Sequence, residues 1–360
     1  MSRPRMPSLV RASLAAAAAF AAVLSVFGPA PAARAADSRA PSYVALGDSY
    51  SADVFVRPWG ESDGCGRSYR DYPHQVAQEL GLRLTDVTCG AAEVRDGVLG
   101  PQPASKLHGP PSVPPAGGWR EKRPQIDYLH DDTDYVSVGI GGNSLGFGGI
   151  VTQCLERGAR SLGLGTPCTD YFTTGEGREW LAGKFVQLDH DFGRMMTGIR
   201  DRAPRAKVLV VGYPAIVPVN GGCSWGVWRQ LGTTAKKDMP WLDGLERELN
   251  ELIERHAVEH GATYVDSYGP SAGHGLCEPE GERWMYGVKD DLTGDGDQTD
   301  TPSALCDEIP GNGEACTFVH PNVHGADNQA RQVRAAFEHR RALVPVVGRQ
   351  ILTVRGSGVL

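Results

Sequence analysis

Hydrophobic and polar positions follow two alternating patterns after residue 40. Short apolar runs rich in β-branched residues predict five strands, at Tyr43–Leu46, Arg83–Thr88, Tyr135–Ile140, Lys207–Val211 and Thr263–Val265. Most of these runs are too apolar to keep one face in water, which is typical of parallel strands buried on both faces. Helical spacing of apolar residues predicts helices at Gly177–Arg202, Asp238–His260 and Ala326–Arg341. Strands that alternate with helices indicate an α/β protein.

Three stretches lack these patterns and are predicted to be surface loops held by cysteines. They are Gly100–Pro124, Cys154–Thr174 and Gly269–Cys316. Binding specificity often resides in such loops. No linker divides the chain, so we expect one domain over residues 36–345 and a C-terminal tail over residues 346–360.

The N-terminal segment has the pattern of a secretory signal peptide. Arg3, Arg5 and Arg11 precede the apolar stretch Leu14–Phe27, and the small-residue run at 33–36 follows it. The apolar stretch is shorter than the roughly twenty residues that a membrane-spanning helix needs. We therefore expect residues 1–35 to be removed, leaving an extracellular protein without an integral membrane segment.

Charge and composition exclude several classes of protein. The formal net charge is −7, and loss of the first 35 residues, which contain four arginines and no acidic residue, would take it to −11. An acidic chain does not favour nucleic-acid binding. Glycine (46) and proline (25) together make up about a fifth of the chain, below the roughly 25–30% typical of low-complexity disorder.

All eight cysteines follow the predicted signal peptide. An even number in an oxidising compartment predicts four disulfides. A zinc site would need closely spaced cysteines or a Cys/His cluster, and the sequence has no C-x₂-C pair. Sequence alone leaves the pairing open.

The first predicted strand ends in Gly47-Asp48-Ser49. A tight turn here would present the Ser49 hydroxyl at the carboxyl edge of the sheet, where open α/β sheets bind ligands. A serine hydroxyl is a weak nucleophile, so catalysis also needs a base and donors for developing negative charge. Taken alone, Gly-Asp-Ser more often marks an ordinary turn.

Three later segments provide candidate partners for Ser49. They are Cys89-Gly90, Gly141-Gly142-Asn143 and His320-Pro321-Asn322. Four such elements in this order resemble the SGNH, or GDSL-type, serine hydrolase superfamily, and within it the secreted, disulfide-bonded esterases and lipases of actinomycetes. The resemblance covers most of the chain after the signal peptide. It implies a three-layer α/β/α, flavodoxin-like fold with a mainly parallel five-stranded sheet.

The resemblance also implies a role for each matching residue. Ser49 resembles the nucleophile and His320 the general base, while the Ser49 N–H, the Gly90 N–H and the Asn143 side chain resemble the oxyanion hole. The implied reaction is cleavage of a small-molecule or lipid carboxylic ester through an acyl-enzyme, by a monomer that needs no metal or other cofactor. An acyltransferase and a catalytically silent secreted binding protein on the same fold are the alternatives.

Two positions depart from the family pattern. Many members have an aspartate three residues before the catalytic histidine, where this chain has Thr317. Some secreted members use a backbone carbonyl at that position, so the Thr317 carbonyl is the expected histidine orienter in a Ser49–His320 dyad. The second departure is Ser144, where an aspartate is common.

If the cysteines follow the family, neighbours in sequence pair. The implied disulfides are Cys65–Cys89, Cys154–Cys168, Cys223–Cys277 and an additional Cys306–Cys316. The last of these would close just before His320.

Other motifs have alternative interpretations. Asp291, Asp295 and Asp297 resemble a calcium-binding loop, but the twelfth position of that loop would be Pro302 and not an acidic ligand, which favours a solvated acidic loop. Gly269–Gly273 matches G-x-S-x-G around Ser271, yet a poor helix start follows, so we interpret it as a surface loop. Two interpretations remain for Trp225 and Trp228, with Ile216 and Val217 upstream of them: these residues border an acyl-chain groove, or they pack in the core.

Overall fold

The computed structural model describes residues 39–60, 62–109, 114–218, 223, 232–279, 281–287 and 319–338. Its strands are β1 (Ser42–Gly47), β2 (Arg83–Asp86), β3 (Tyr135–Gly139), β4 (Lys207–Val211) and β5 (Thr263–Val265). Its helices are α1 (Ser49–Ala52), α2 (Tyr72–Leu80), α3 (Gly142–Leu145), α4 (Phe147–Arg160), α5 (Pro167–Thr173), α6 (Gly175–Arg202), α7 (Met239–Glu259), α8 (Tyr268–Ser271) and α9 (Val323–Glu338).

The five strands form one parallel sheet in the order β2-β1-β3-β4-β5. This arrangement confirms the predicted α/β fold with a five-stranded sheet. β1 and β3 are adjacent at its centre, with Tyr43 opposite Tyr135 and Gly47 opposite Gly139. Strand order reverses here, because β2 lies on one side of β1 and β3 to β5 lie on the other. Open α/β sheets bind ligands at such a switch point.

Alternate residues of the strands face two helical layers. Leu209 and Val211 of β4 pack with Tyr72 and Val76 of α2 and with Val333 of α9. The intervening strand residues Val208 and Val210 belong to a larger core that includes α6 and α7. Burial on both faces explains why these strand sequences are continuously apolar. β2 is different, because it lies at an edge of the sheet and its residues alternate between exposed and half-buried.

One predicted loop is mostly helical. Cys154–Thr174 contains the end of α4 and all of α5, and Pro167 lies at the start of α5, where proline is favoured. Gly100–Pro124 is irregular apart from a short 3₁₀ helix at Ala104–Lys106 where the structure describes it. None of the helices among the described residues is both long and apolar enough to cross a membrane.

The structure contains three disulfides, Cys65–Cys89, Cys154–Cys168 and Cys223–Cys277. They are pairs that the family resemblance implies. Cys154–Cys168 joins α4 to α5, and Cys65–Cys89 joins the segment after α1 to the segment after β2. The fourth implied pair, Cys306–Cys316, lies outside the described residues, as do the calcium candidates Asp291, Asp295 and Asp297.

Close packing of α4 gives a testable prediction about its glycine. A Cβ atom at Gly158 would lie 1.9 Å from the Thr233 carbonyl oxygen, whereas one at Gly183, in α6, would meet no atom within 4 Å. Gly158→Ala should therefore lower the free energy of unfolding by about 1–3 kcal/mol. The matched control Gly183→Ala should raise it by about 0.5–1 kcal/mol, because alanine favours a helix. Urea unfolding measures both, and equal effects would contradict the close contact at Gly158.

Candidate active site

The nucleophile candidate lies on a turn fixed by the end of β1. The Asp48 N–H donates to the Gly139 carbonyl of β3 at 3.0 Å. The Gln125 side chain forms two hydrogen bonds with the Gly47 backbone. Its Oε1 accepts from the Gly47 N–H at 2.8 Å, and its Nε2 donates to the Gly47 carbonyl at 2.9 Å. A Cβ atom on Gly47 would lie 2.6 Å from the Gly139 oxygen, so only glycine fits. Ser49 is the first residue of α1, and its N–H has no intrahelical acceptor.

His320 meets Ser49 from the other end of the chain. His320 Nε2 lies 2.8 Å from Ser49 Oγ, and both residues are buried. The imidazole packs against the rings of Tyr50 and Phe55 at centroid distances of 4.9 Å and 5.1 Å. The Tyr286 N–H donates to the His320 carbonyl at 2.7 Å. Thr317 lies outside the described residues, so the expected orienting carbonyl stays a prediction.

Asn143 lies at the start of α3, directly after β3. Its side-chain Nδ2 donates to the Ala92 carbonyl at 3.0 Å. An amide nitrogen carries two hydrogens, so a second donor remains. Asn143 lines the same cavity as Ser49 and His320. Ser144, the second departure from the family pattern, accepts a hydrogen bond from the Val94 N–H at 2.9 Å and so supports the facing loop.

Gly90 lies in the turn that follows β2. Its N–H donates to the Cys65 carbonyl at 2.8 Å, and its carbonyl accepts from Gln102 Nε2 at 2.7 Å. Gly90 does not line the cavity beside Ser49, whereas Ala91 does. Ala91 has a φ of +59°, a conformation that is uncommon for residues other than glycine. The Gly90 N–H is thus already bonded inside the turn, and Ala91 is the residue of this turn that lines the cavity, so the role of Gly90 in the oxyanion hole stays a prediction.

A buried hydrogen-bond chain joins the nucleophile turn to the Asn143 segment. The Tyr213 hydroxyl donates to Asp48 Oδ2 and accepts from the Gly142 N–H at 2.7 Å. Asp48 Oδ1 accepts from the Tyr50 N–H at 3.0 Å. Burial raises the pKa of Asp48 to about 7, although the hydrogen bonds from Tyr213 and Tyr50 lower it. Sequence reasoning missed Tyr213, whose one signal is a polar residue just after a buried strand.

An apolar cavity of about 160 Å³ lies beside Ser49 and His320. Its walls come from α4, from α7 and from the segment after β4, which supply Phe147, Ile150, Val151, Leu242, Leu245, Leu249, Ile216 and Val217. Ile216 and Val217 therefore border the cavity and also belong to the hydrophobic core. Trp225 and Trp228 lie outside the described residues. Concave apolar sites with a few converging polar groups are typical of small-molecule binding.

One carboxyl group interrupts the apolar wall. Glu246 of α7 lines the cavity, and its Oε2 accepts from the Ile216 N–H at 3.2 Å. Its Oε1 is buried without a hydrogen-bond partner in the described part of the chain. Burial raises the pKa of Glu246 well above its ordinary value, and nearby Asp243 raises it further. Burial therefore shifts the balance between carboxylate and neutral acid toward the neutral acid, relative to a carboxyl group in water.

The remaining candidates do not join this site. Ser271 is buried in α8, where its hydroxyl donates to the Ser267 carbonyl at 2.8 Å and accepts from the Ala215 N–H at 2.8 Å. It caps backbone groups and does not line the cavity. Two groups of potential metal ligands occur among the described residues, His256-Glu259-His260 and Asp71-His74-Asp86, and neither includes a cavity-lining residue.

A serine–histidine pair at the carboxyl edge of a parallel sheet, beside an apolar cavity, defines a serine hydrolase of the SGNH type. The profile of the GDSL-like lipase/acylhydrolase family matches residues 45–327. The chain belongs to this family and is a carboxylic ester hydrolase.

Several relatives come from Streptomyces. Lipase 2 of Streptomyces coelicolor is 37% identical over 287 residues, covering 79% of this chain and 89% of that protein. An esterase of Streptomyces scabiei is 29% identical over 355 residues, covering 92% and 95% of the two chains. The crystal structure of phospholipase A1 from Streptomyces albidoflavus matches with a TM-score of 0.57 and 25% identity, covering 84% of this chain and 100% of that one.

The hydrogen-bond chain through Tyr213 predicts a pH-dependent loss of stability in Tyr213→Phe. The variant leaves the buried Gly142 N–H without its acceptor, which should lower the free energy of unfolding by about 1–3 kcal/mol. It also removes a hydrogen bond that lowers the pKa of Asp48, so this pKa should rise above about 7.

A carboxyl group whose pKa is raised on folding favours the folded state at low pH. This contribution to the free energy of unfolding is lost as the pH rises from the unfolded-state pKa to the folded-state pKa. In the wild type this loss ends near the Asp48 pKa of about 7, whereas in Tyr213→Phe it should continue to higher pH. The difference in free energy of unfolding between the variant and the wild type should therefore grow above about pH 7. Urea unfolding at pH 5 and pH 8.5 tests this, with Tyr128→Phe as the control at a partly exposed ring. A difference that does not change with pH would argue against the link to Asp48.

Proposed function

We propose that this chain hydrolyses carboxylic esters through an acyl-enzyme formed on Ser49. The observation that carries the proposal is the 2.8 Å contact between His320 Nε2 and Ser49 Oγ at the wall of an apolar cavity. A serine hydroxyl within hydrogen-bond reach of an imidazole is the arrangement that activates a weak nucleophile.

The reaction proceeds in two acyl-transfer steps. His320 Nε2 removes the Ser49 proton as Oγ attacks the ester carbonyl, and the resulting imidazolium returns that proton to the departing alcohol. Water then attacks the acyl-enzyme with His320 again as the base, which releases the acid and restores Ser49. The Thr317 carbonyl is the proposed partner of the second imidazole nitrogen.

Three donors would hold the oxyanion of the tetrahedral intermediate. They are the Ser49 N–H at the start of α1, the second Nδ2 hydrogen of Asn143 and the Ala91 N–H, which replaces Gly90 in this role. Support for Ala91 comes from its place in the cavity wall and from the bond that already occupies the Gly90 N–H. Loss of one such donor typically lowers turnover by about 10²–10³-fold.

The acyl group of the substrate would occupy the apolar cavity. Aliphatic side chains of α4 and α7 form most of its surface, and burial of apolar acyl carbons there is favourable. The relatives named lipase, esterase and phospholipase A1 support esters with an apolar acyl chain as the substrate class.

Export of the protein is part of the proposal. The arginine-rich start, the short apolar stretch and the small residues before position 36 support a cleaved signal peptide. Three disulfides among the described residues support an oxidising compartment.

Replacement of the nucleophile tests the mechanism. Ser49→Ala should lower the hydrolysis of p-nitrophenyl butyrate by about 10⁴-fold or more, because no acyl-enzyme can form. Ser271→Ala is the matched control, since Ser271 is also a buried serine, lies in G-x-S-x-G and is outside the cavity. Wild type and Ser271→Ala should both release an initial burst of one p-nitrophenol per enzyme.

Other outcomes would favour the alternatives. Equal inactivity of wild type and Ser49→Ala on esters from acetate to palmitate would support a silent binding protein. Faster product release on addition of an alcohol, with the acyl group recovered on that alcohol, would support an acyltransferase.

The cavity wall predicts a change in chain-length preference. Val151 lies on the cavity side of α4 and is only partly buried, so the larger ring in Val151→Phe should occupy acyl-chain space. We expect kcat/KM for p-nitrophenyl palmitate to fall by about 10-fold or more relative to the acetate ester. The control Val186→Phe, at a residue that is 72% exposed on α6, should leave this ratio unchanged. An unchanged ratio in Val151→Phe would mean that the acyl chain binds elsewhere.

A further inference from the structure

The C-terminal end of α7 carries a cluster of potential metal ligands that ester hydrolysis does not use. His256, Glu259 and His260 are spaced i, i+3 and i+4, which places them on one side of the helix. One donor atom from each lies within 4.8 Å of the others. The same residues read His-x-x-Glu-His, a spacing that zinc enzymes use.

His256 has one ring nitrogen engaged and the other available. Its Nε2 lies 2.8 Å from Asp189 Oδ1, and because a carboxylate accepts, Nε2 carries the hydrogen. Its Nδ1 is buried, makes no hydrogen bond to any described residue and lies 3.7 Å from Glu259 Oε2. The His256 side chain is 8% exposed. Nδ1 is therefore a buried lone-pair nitrogen directed at the cluster.

His260 is held in the complementary way. Its Nδ1 lies 2.9 Å from the His256 carbonyl oxygen, so Nδ1 is the donor and Nε2 keeps the lone pair. Metal-binding histidines usually donate their second ring nitrogen to a carboxylate or a backbone carbonyl, which fixes the tautomer and the ring orientation. His256 has a carboxylate partner, Asp189, and His260 has a backbone carbonyl partner, that of His256.

We propose that His256, Glu259 and His260 bind a divalent transition-metal cation of the zinc class. Two neutral imidazole nitrogens and one carboxylate oxygen are ligands that zinc prefers, and a water molecule would complete a tetrahedral set. The Glu259 side chain is 54% exposed, which leaves a route for the ion from solvent. A cation at the C-terminal end of a helix is also favoured by the helix dipole.

The surroundings of the cluster are compatible with a cation. Two guanidinium groups lie close to the cluster. Arg255 donates to Asp189 of α6 at 2.6 Å, and Arg200 donates to the backbone carbonyl of His260 at 3.1 Å, so each is already paired. The other candidate cluster, Asp71-His74-Asp86, is a weaker site, because His74 Nδ1 already bonds Asp71 Oδ1 at 2.7 Å. Binding at His256 would tie α7 to α6 through Asp189 and stabilise the fold without entering the active site.

Zinc titration of the purified, oxidised protein after removal of metal by chelator tests the site. Isothermal titration calorimetry should give one zinc ion per chain, and the melting temperature should rise with zinc. His260→Ala should weaken zinc binding by more than about 100-fold, and Asp189→Asn should weaken it by roughly 10–100-fold. Glu259→Gln should also weaken it.

Matched controls separate the cluster from general surface binding. Glu254→Gln and His130→Ala change exposed residues outside the cluster and should leave zinc affinity unchanged. Lack of zinc binding in the wild type, or equal affinity in wild type and His260→Ala, would overturn the proposal. Ester hydrolysis with and without chelator is measured in parallel and should not differ, so the fate of the zinc site is independent of the Ser49 mechanism.

Discussion

The buried carboxylate of Asp48 is the group that connects the segments of the active site. It accepts from the Tyr50 N–H and the Tyr213 hydroxyl, and Tyr213 in turn accepts from the Gly142 N–H beside Asn143. Burial of a charge is costly unless hydrogen bonds replace water. The nucleophile turn, the end of β4 and the start of α3 must therefore keep their relative positions for Asp48 to stay satisfied. A pKa of about 7 expresses this balance between desolvation and hydrogen bonding.

The parallel sheet explains how distant residues reach this carboxylate. All strands run in one direction, so the segments that follow β1, β2 and β3 meet at one edge, and Ser49, Ala91 and Asn143 come together there. His320 arrives 271 residues after Ser49 along the chain. Its approach depends on the pairing of Val319 with Gly287 and of Tyr286 with His320. The sheet therefore positions Ser49, Ala91 and Asn143, whereas loop pairing positions His320.

Local chemistry decides which parts of this arrangement the sequence could predict. The bounds of β4 and β5 are as predicted, and each strand ends where the chain reaches a turn-favouring residue, Gly212 after β4 and Asp266 after β5. β2 ends two residues early, at Asp86, because the Thr88 N–H and hydroxyl both donate to the Asp86 side chain. The sequence favours Gly90 as the donor at this turn, yet the left-handed residue is Ala91. The roles of Tyr213 and Glu246 depend on tertiary contacts, and the one local signal is that Tyr213, a polar residue, follows a buried strand.

Unfavourable backbone conformations occur on both sides of the reacting atoms. Ala91 and Val319 line the cavity with φ of +59° and +63°, and such residues cost about 1–3 kcal/mol each. The cost is greatest for a β-branched residue such as Val319. The Tyr50 hydroxyl bonds the Val319 carbonyl, and the Val319 N–H donates to Gly287 at 3.0 Å. Tyr50 also packs on the His320 ring, so the residue directly after Ser49 contacts both the strained backbone and the imidazole. Glycine at position 319 would relieve the strain, but it would also free the backbone that aims His320 at Ser49.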